Sequence, residues 1–459
     1  MKSLFLGQLM LAAVVVLASS AATAKKLEYK QCIAIALAQN PELAISRAQI
    51  EQAEAAVRQA QGNKMPRVNL SLTTTRSNDA LNAFGMKLGQ RNATFGDFGP
   101  PVGGDFGSYP ANLDTLNHPN AVNNFNTRIE LLVPVYNGGM VQSYVDTAKA
   151  YVRAAQSGDE VARQQLAKHV LMAYQGVHTA RAYIKLAAEA RVAAEEYVRI
   201  SDKLHKQGMA VKSDVLSAKV NLEDVKVKGV EAKNAEAAAL NQLALLMGKS
   251  LDDPLDVGAP VTPEMLAGSP ADLRAQALNE HAGLRALRNQ VEGAGAQVGA
   301  ARAGKKPQFN VMLRQDWNDE NLGLDAASYT VAGVLSWSAF DGGVNNANID
   351  RAAAQRAELV AKLRQAEEGI GYQVTDARRK ALEAEEKIVA REAGVEQALE
   401  AQRLVKKRYE NSMATLIELL GAQAQLDKAN ADLVAARYEL AVNRAELKRS
   451  VGVLTADSL

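Results

Sequence analysis

The chain has 459 residues, and its 53 basic and 51 acidic side chains give a formal charge of only +2. A nearly neutral chain is not typical of proteins whose main activity is nucleic-acid binding. Aromatic residues make up 5% of the chain, which is low for a compact globular core. The abundance of Ala, Gln, Glu, Lys, Arg and Leu favours long helices instead.

The first 24 residues have the pattern of a secretory signal. An apolar stretch from Leu9 to Ala18 is followed by Ala22-Thr23-Ala24, so we expect residues 1–24 to be a signal peptide. The single cysteine, Cys32, lacks the small, apolar residues that precede a lipid-modified cysteine, so neither a lipid anchor nor an internal disulfide is expected. No later segment approaches the ~18 consecutive apolar residues of a membrane helix. Any membrane crossing must therefore use strands.

The mature chain contains two copies of one unit. Residues 204–248 align without a gap with residues 408–452, at an offset of 204. Further upstream the offset becomes 241, so the first copy has 37 additional residues, which lie between Pro66 and Phe125. Internal duplication of this kind predicts that the two halves share one fold.

The duplication divides the mature chain into corresponding segments. Each copy is predicted to have an opening helical segment, a strand pair, and a long helix with a return helix. The predicted boundaries are 25–65, 66–136 and 137–248 in the first copy, and 271–306, 307–340 and 341–459 in the second. Residues 249–270 read as a connector with little secondary structure, and residues 78–124 as a long loop rich in Gly, Pro, Asn and Asp.

Apolar and polar residues alternate in four segments, which predicts half-buried strands. The apolar phase includes Val68, Leu70, Ile129, Leu131, Val311 and Leu335. The polar phase includes Asn126, Arg128, Glu130 and Asn310. Segments of about ten residues with this pattern are typical of a transmembrane β-barrel, although a soluble sandwich would show the same alternation.

Four strands cannot close a barrel, because about eight are needed before the interior can hold even side chains. An open sheet edge cannot stay in lipid, because each unpaired backbone group there costs several kcal/mol. If the strands span a membrane, other copies of the chain must complete the sheet.

The long helices are predicted from their length and their breaks. A helical pattern follows Gly139 and Gly343 and continues for about 65–70 residues, which corresponds to a rod of about 100 Å. Each rod is predicted to end at Gln207-Gly208 or at Asn411-Ser412, after which a second helix returns.

Catalytic and cofactor-binding patterns are not found. Residues 293–299 miss the dinucleotide-binding glycine spacing by one position and have no preceding strand. Met209 and Met413, with His205 nearby, leave soft-metal binding as an alternative, although methionine more often fills irregular contacts. We expect no enzyme activity, no cofactor and no metal. The five histidines show neither metal-ligand spacing nor a link to a nucleophile elbow: His118, His169, His178, His205 and His281.

Together these features resemble the TolC-type outer-membrane factors, the outer membrane efflux protein family. The resemblance rests on the signal peptide, Asn40-Pro41-Glu42-Leu43, the duplicated strand and helix order, and the turn-helix sequence of residues 207–216. It implies an internally duplicated α+β membrane protein in which four strands per chain join a trimeric twelve-stranded outer-membrane β-barrel. It also implies that a periplasmic α-helical barrel of coiled helices continues this barrel.

The function that the resemblance implies is a passive exit duct for a tripartite efflux pump or a type I secretion system. The implied partners are two further copies in a homotrimer, a periplasmic adaptor, an inner-membrane pump or ABC exporter, and outer-membrane lipid, with no nucleic acid. A periplasmic coiled-coil adaptor or scaffold is the alternative, but the strand pairs and the Gly-rich loop count against it. The sequence does not specify the exported substrate, the pump, or whether the duct serves drug efflux or protein secretion.

The resemblance also assigns residues to the periplasmic end of the duct. Two residues depart from the family pattern, because Ala414 and Gly421 stand where some relatives have an arginine and a second acid, so the closing network must differ here. The two acidic residues of this end, Asp214 and Glu418, could instead serve only to complement the positive N-termini of the return helices. The implied gate residues are Asp214, Glu418, Tyr409 and Leu420. The implied adaptor contacts are Gly208, Met209, Ala210, Ser412, Met413 and Ala414.

Overall fold

The computed structural model of the protein describes residues 26–94, 97, 117–455 and 458. The predicted signal peptide and the Gly99–Asp114 part of the predicted loop lie outside these residues. The helices are α1 (Tyr29–Gln39), α2 (Pro41–Gly62), α3 (Ala80–Gly89), α4 (Met140–Lys206), α5 (Lys212–Leu246), α6 (Pro270–Glu280), α7 (Ala282–Ala303), α8 (Val344–Glu410) and α9 (Leu416–Val451). The strands are β1 (Lys26–Leu27), β2 (Arg67–Ser77), β3 (Val122–Tyr136), β4 (Asp256–Val257), β5 (Gln308–Asp319) and β6 (Ala326–Ser336).

The two long helices confirm the internal duplication. Helices α4 and α8 have 67 residues each, and the return helices α5 and α9 have 35 and 36. Both long helices end where the sequence predicts. Gly208 (φ +76°) and Ser412 (φ +58°), which occupy equivalent positions in the two copies, are both in the left-handed region that ends helices.

Each opening helical segment contains one break. The first is split into α1 and α2 at Asn40, whose ψ of 130° is extended. Pro41 causes this break, because proline disfavours the helical conformation in the residue before it. The second is split into α6 and α7 at His281, which is also extended, with ψ at 115°.

Each break fits against the glycine that follows a return helix. Asn40 accepts a hydrogen bond from the Glu42 backbone N–H (2.8 Å) and donates from Nδ2 to the Leu246 carbonyl (2.8 Å), so it joins the start of α2 to the end of α5. Gly248 has a φ of +67°, and a Cβ on it would lie 2.6 Å from the Gln39 carbonyl oxygen. Gly452 repeats the arrangement in the second copy against His281. The duplicated breaks and glycines are therefore parts of one joint.

The described chain forms two compact units. The first comprises the residues up to Ser46, Asp159–Ala282 and Glu367–Leu459, and the second comprises Arg47–Gly158 and Gly283–Ala366. In the first unit, the predicted connector contains a short strand, since β4 pairs in parallel with β1.

Among the residues that the structure describes, none of the helices combines the length and the apolar character that a membrane-crossing helix requires.

The second unit contains one antiparallel sheet with the strand order β2-β3-β5-β6. Val68 lies opposite Leu131, and Val133 lies opposite Val311. Because directly paired residues point to the same face of a sheet, this register confirms that the predicted apolar positions share one face. That face is open, with Leu70 73% exposed and Leu335 69% exposed.

The opposite face carries a polar ladder across the β3-β5 pair, which joins the two copies. Asp316 is only 5% exposed. One of its carboxylate oxygens lies 2.7 Å from Arg128 Nε, and the other lies 2.8 Å from Arg314 Nε. Asn126 donates to Asp316 (3.2 Å) and to Asn318 (3.0 Å). The polar phase predicted from the sequence is thus a continuous hydrogen-bonded surface.

The segment predicted as a long loop contains helix α3. Asp79 caps this helix by accepting a hydrogen bond from the Asn82 backbone N–H (3.0 Å). Strand β3 also begins at Val122, within the predicted loop. The described part of the loop is therefore partly ordered into regular structure, whereas residues 320–325 join β5 to β6 without an intervening helix.

Two glycine substitutions should have opposite effects on stability, because only one of these glycines lies in the joint at the end of α5. Gly248→Ala should destabilise the protein by about 1–3 kcal/mol, because alanine is strained at positive φ and its Cβ would meet Gln39. Gly369→Ala, within α8, has nothing within 4 Å of the new Cβ and should stabilise by about 0.5–1 kcal/mol. Thermal unfolding followed by helical circular dichroism measures both. Equal midpoints for the two variants would contradict the joint.

Candidate functional site

The turns between the long helices and their return helices meet at one end of the first unit. One turn joins α4 to α5 through Gly208, and the other joins α8 to α9 through Ser412. Ser412 Oγ donates to the sulfur of Met209 at 3.6 Å. The structure therefore brings together two turns that are about 200 positions apart in the sequence. We call these two turns the tips.

The two turns have the same backbone design. The Met209 N–H donates to the Leu204 carbonyl (2.9 Å), and the Met413 N–H donates to the Arg408 carbonyl (2.7 Å). A side chain from the long helix closes each turn. His205 Nδ1 donates to the Ala210 carbonyl (2.9 Å), and Arg408 Nη2 donates to the Met413 carbonyl (3.1 Å).

The outer surface of the tips is apolar. The side chains of Met209, Val211, Met413 and Ile417 are all exposed. Methionine is flexible and polarisable, and it is common on surfaces that adapt to a protein partner. Grouped exposed apolar side chains of this kind are typical of interaction sites.

A small core lies behind the tips. It consists of Tyr197, Ile200, Leu204, Ala218, Tyr409, Leu416 and Leu419, with Leu420, Ala210 and Ala414 partly buried against it. Helices α4, α5, α8 and α9 all contribute to this core. The predicted gate residues Tyr409 and Leu420 are therefore in one cluster with two of the predicted adaptor contacts.

Tyr409 is buried in this core and bonded to α4. Its side chain is 3% exposed, and its hydroxyl lies 2.7 Å from Ser201 Oγ, which is also buried. Burial raises the pKa of Tyr409, partly offset by the Ser201 hydrogen bond, so the phenol is neutral at physiological pH. Ser201 was not predicted from the sequence. A serine within a helical pattern carries no signal that it will meet a tyrosine from another helix.

A second hydrogen-bond network joins three helices above the tips. Tyr197 on α4 accepts from Gln402 on α8 and donates to Gln423 on α9 (2.6 Å). Gln423 then donates to Asp427 (2.8 Å). Burial raises the pKa of Asp427, while the Gln423 hydrogen bond and Lys228 act in the opposite direction. These residues were also not predicted, because they lie on three different helices and become partners only when those helices are packed.

The two predicted acids differ in their surroundings. Glu418 forms a capping box with Thr415: the Glu418 N–H donates to Thr415 Oγ1 (3.2 Å), and the Thr415 N–H donates to Glu418 Oε1 (3.3 Å). Arg408 Nη2 also lies 3.9 Å from Glu418. Asp214 is in the first turn of α5, where the N-cap residue, Val211, has no side-chain hydrogen bond. Glu418 therefore caps its own helix, whereas Asp214 makes no such bond.

The described residues do not contain a cluster of side chains that could bind a metal ion. Within them, no group of three His, Cys, Asp or Glu side chains is close enough to hold an ion. His205, which the sequence places near both methionines, uses its Nδ1 to close the first turn.

The chain matches the model of one protein family over most of its length. The "Outer membrane efflux protein" model matches residues 32–249 and 273–453. Among curated proteins, the chain is 24% identical over 326 residues to the toluene efflux pump outer membrane protein TtgC of Pseudomonas putida. This alignment covers 68% of the chain and 66% of TtgC. The chain thus spans slightly less than two thirds of this relative.

Solved structures with the same fold include CusC and VceC. CusC has a TM-score of 0.77 and 17% identity, with coverage of 94% of this chain and 93% of CusC. The outer membrane protein VceC from Vibrio cholerae has a TM-score of 0.74 and 19% identity, with coverage of 92% of this chain and 96% of VceC. The chain therefore has the fold of the outer-membrane efflux channels.

A double-mutant cycle tests the Tyr409–Ser201 contact. Tyr409→Phe should destabilise the first unit by about 1–3 kcal/mol, because it leaves the buried Ser201 hydroxyl without its partner. Ser201→Ala should have a similar effect, and the double variant should cost much less than the sum of the two. Chemical unfolding followed by circular dichroism measures the three variants. Strict additivity would show that the two hydroxyls do not interact.

Proposed function

Because this chain belongs to the outer membrane efflux protein family, we propose that three copies form a passive outer-membrane duct. Through it a tripartite efflux pump or a type I secretion system would export its substrates. The observation that carries the proposal is the four-stranded sheet, which has one apolar face, one polar face and two edges that are unpaired among the described residues.

The sheet edges support closure by further copies. Strands β2 and β6 each pair with a neighbour on only one side in the described chain. In lipid the free backbone groups of an edge must find partners, so the sheet has to close on itself. Three copies supply twelve strands, which is enough for a barrel with an open lumen. The polar ladder around Asp316 would then line the lumen, and the apolar face would contact lipid.

Aromatic residues support this orientation of the apolar face. Tyr329 lies near one end of β6 and Trp337 directly follows the other end, and both are exposed. They are eight positions apart, which corresponds to about 27 Å at ~3.4 Å per residue. Aliphatic side chains such as Val331 and Leu335 lie between them. The apolar band of an outer-membrane barrel is about 25 Å tall and is flanked by aromatic girdles.

The four longest helices of the first unit lie side by side, and the two outer helices each have one side without a neighbouring long helix in the part of the chain that the structure describes. Helix α4 contacts α5 through Arg181 and Glu236 (2.7 Å), and α9 contacts α8 through Arg444 and Glu385 (2.6 Å). Tyr183 on α4 faces α9, where its hydroxyl donates to the Ala431 carbonyl (3.4 Å). Away from the tips the order is therefore α5-α4-α9-α8, with α5 and α8 on the outside.

An exposed stripe on α5 matches this free side. Its members follow the spacing of a coiled-coil seam: Leu216, Val220, Val227 and Val230. We propose that α5 of one copy packs against α8 of the next, which closes twelve helices into a periplasmic tunnel. In this arrangement residues 137–248 and 341–459 form the tunnel, residues 66–136 and 307–340 form the barrel, and residues 78–124 lie outside the cell.

The tips would then be the periplasmic end of the duct. We assign the contact with a periplasmic adaptor to the apolar surface of the two turns, including Met209 and Met413. The core behind them, with Tyr409 and Leu420, would hold the closed state. An inner-membrane pump or ABC exporter must supply the energy. The relative TtgC is named as part of a toluene efflux pump, which favours small-molecule efflux over protein secretion.

Two neighbouring residues of β2 test the lipid-facing assignment. Leu70→Arg should reduce folded trimer in outer membranes, because a charge in the apolar band costs about 2–4 kcal/mol. Asn69→Arg is the matched control, since Asn69 lies on the polar face opposite Glu130 and the new arginine meets a carboxylate. Equal trimer yields from the two variants, measured by unheated gel electrophoresis of membranes, would rule out a barrel.

Planar-bilayer recordings test the acids at the tips. Asp214→Asn combined with Glu418→Gln should lower cation selectivity and relieve block by multivalent cations, because six carboxylates in three copies would attract cations. Thr415→Ala is the control, since it removes the cap of α9 without changing charge. It should cost about 1 kcal/mol of stability and leave selectivity unaltered. If the acid variant loses stability but keeps its selectivity, the acids serve only as helix caps.

A further inference from the structure

Building on the proposed function, we infer that helix α3 is folded across the polar face of the sheet and forms an apolar constriction at the outer end of the duct. It would restrict hydrated ions and large solutes while it admits apolar and amphiphilic molecules.

The C-terminal end of α3 contacts residues of the polar face. Gln90 follows the helix and is 8% exposed. Its Nε2 donates to the Asn123 carbonyl (2.6 Å) and to Asn124 Oδ1 (3.0 Å). Asn124 in turn donates to Asn318 (3.1 Å). Asn124 and Asn318 have the same phase as Asn126, so they belong to the polar ladder.

The backbone of α3 also approaches this face. A Cβ on Gly89 would lie 3.7 Å from the Asn318 side-chain amide. Val122 and Ala326, which have the same phase as Asn124 and Asn318, are buried at this end of the sheet. Ala83 on α3 is buried as well and lines one cavity together with Val122. The helix therefore covers the polar face and leaves the apolar face open.

Bonds to the second strand pair hold the segment after α3 in place. Arg91, with a φ of +57°, donates from Nη2 to the Ala327 carbonyl (2.6 Å). Asn92 donates to Glu320 (2.9 Å). Lys87, within α3, forms an ion pair with Asp97. Residues of the first copy are thus fastened to both ends of the β5-β6 connection.

The far side of α3 is apolar and exposed in the described part of the chain. Leu81 is 87% exposed and Leu88 is 57% exposed. Seven residues apart, they lie on the same side of the helix, and they are the exposed counterpart of the buried Ala83. With the polar face lining the duct, each copy would present this leucine pair to the lumen. Three such pairs would make an apolar ring, which hinders hydrated ions because it favours dewetting.

A designed disulfide tests where α3 lies. The distance from a Cβ on Gly89 to the Asn318 Cβ is 3.9 Å, within the ~3.5–4.5 Å range of disulfides. Gly89→Cys with Asn318→Cys should therefore cross-link under mild oxidation of the full chain in membranes, as shown by peptide mass spectrometry. Gly85→Cys with Asn318→Cys is the control and should stay reduced, because nothing lies within 4 Å of Gly85. The native Cys32 is fully buried and does not compete.

Channel recordings test what α3 does. Leu81→Ser combined with Leu88→Ser should raise single-channel ion conductance at least about two-fold, because it makes the ring polar. Leu322→Ser, an exposed leucine in the β5-β6 connection, should leave conductance unchanged. If no cross-link forms, or if the leucine variant and the wild type conduct equally, the proposed constriction is wrong. Neither result would contradict the proposed duct. A wild-type chain that forms no channel overturns both proposals.

Discussion

The unpaired edges of the four-stranded sheet set the main constraint on this protein. Strands β2 and β6 each present a row of backbone donors and acceptors beside an apolar face. Water can satisfy such an edge, but lipid cannot. In the proposed duct the apolar face contacts lipid, and the edges pair with the strands of further copies. The helices share this condition, since α5 and α8 carry uncovered apolar residues on the outer sides of their layer.

Because the chain is duplicated, the same kinds of residue end the helices and fit them together in both copies. Gly208 and Ser412 end the two long helices, and Gly248 and Gly452 fit the two return helices onto the breaks of the opening segments. The copies diverge where the proposed duct is specialised. Only the first strand pair encloses α3, and of the two return helices only α9 has a capping box.

The sequence predicted the strand faces and the long helices because both depend on local periodicity. Two further features do have local signals, since Pro41 marks the break at Asn40, and Thr415 with Glu418 forms a readable capping box. The resemblance assigned Glu418 to the gate instead. Other features had no local signal. The Tyr409–Ser201 bond and the contact of Gln90 with Asn124 join residues from different elements, and their partners become visible only when those elements are packed.

Native mass spectrometry of the detergent-extracted protein tests the central claim most directly, because it counts the chains in the assembly that closes the sheet. We expect a complex of three mature chains that survives detergent extraction and dissociates only when the strands unfold. A stable single chain with its strands folded, or a species that stays monodisperse without detergent, would contradict it. Either result would mean that the edges of β2 and β6 are satisfied by water.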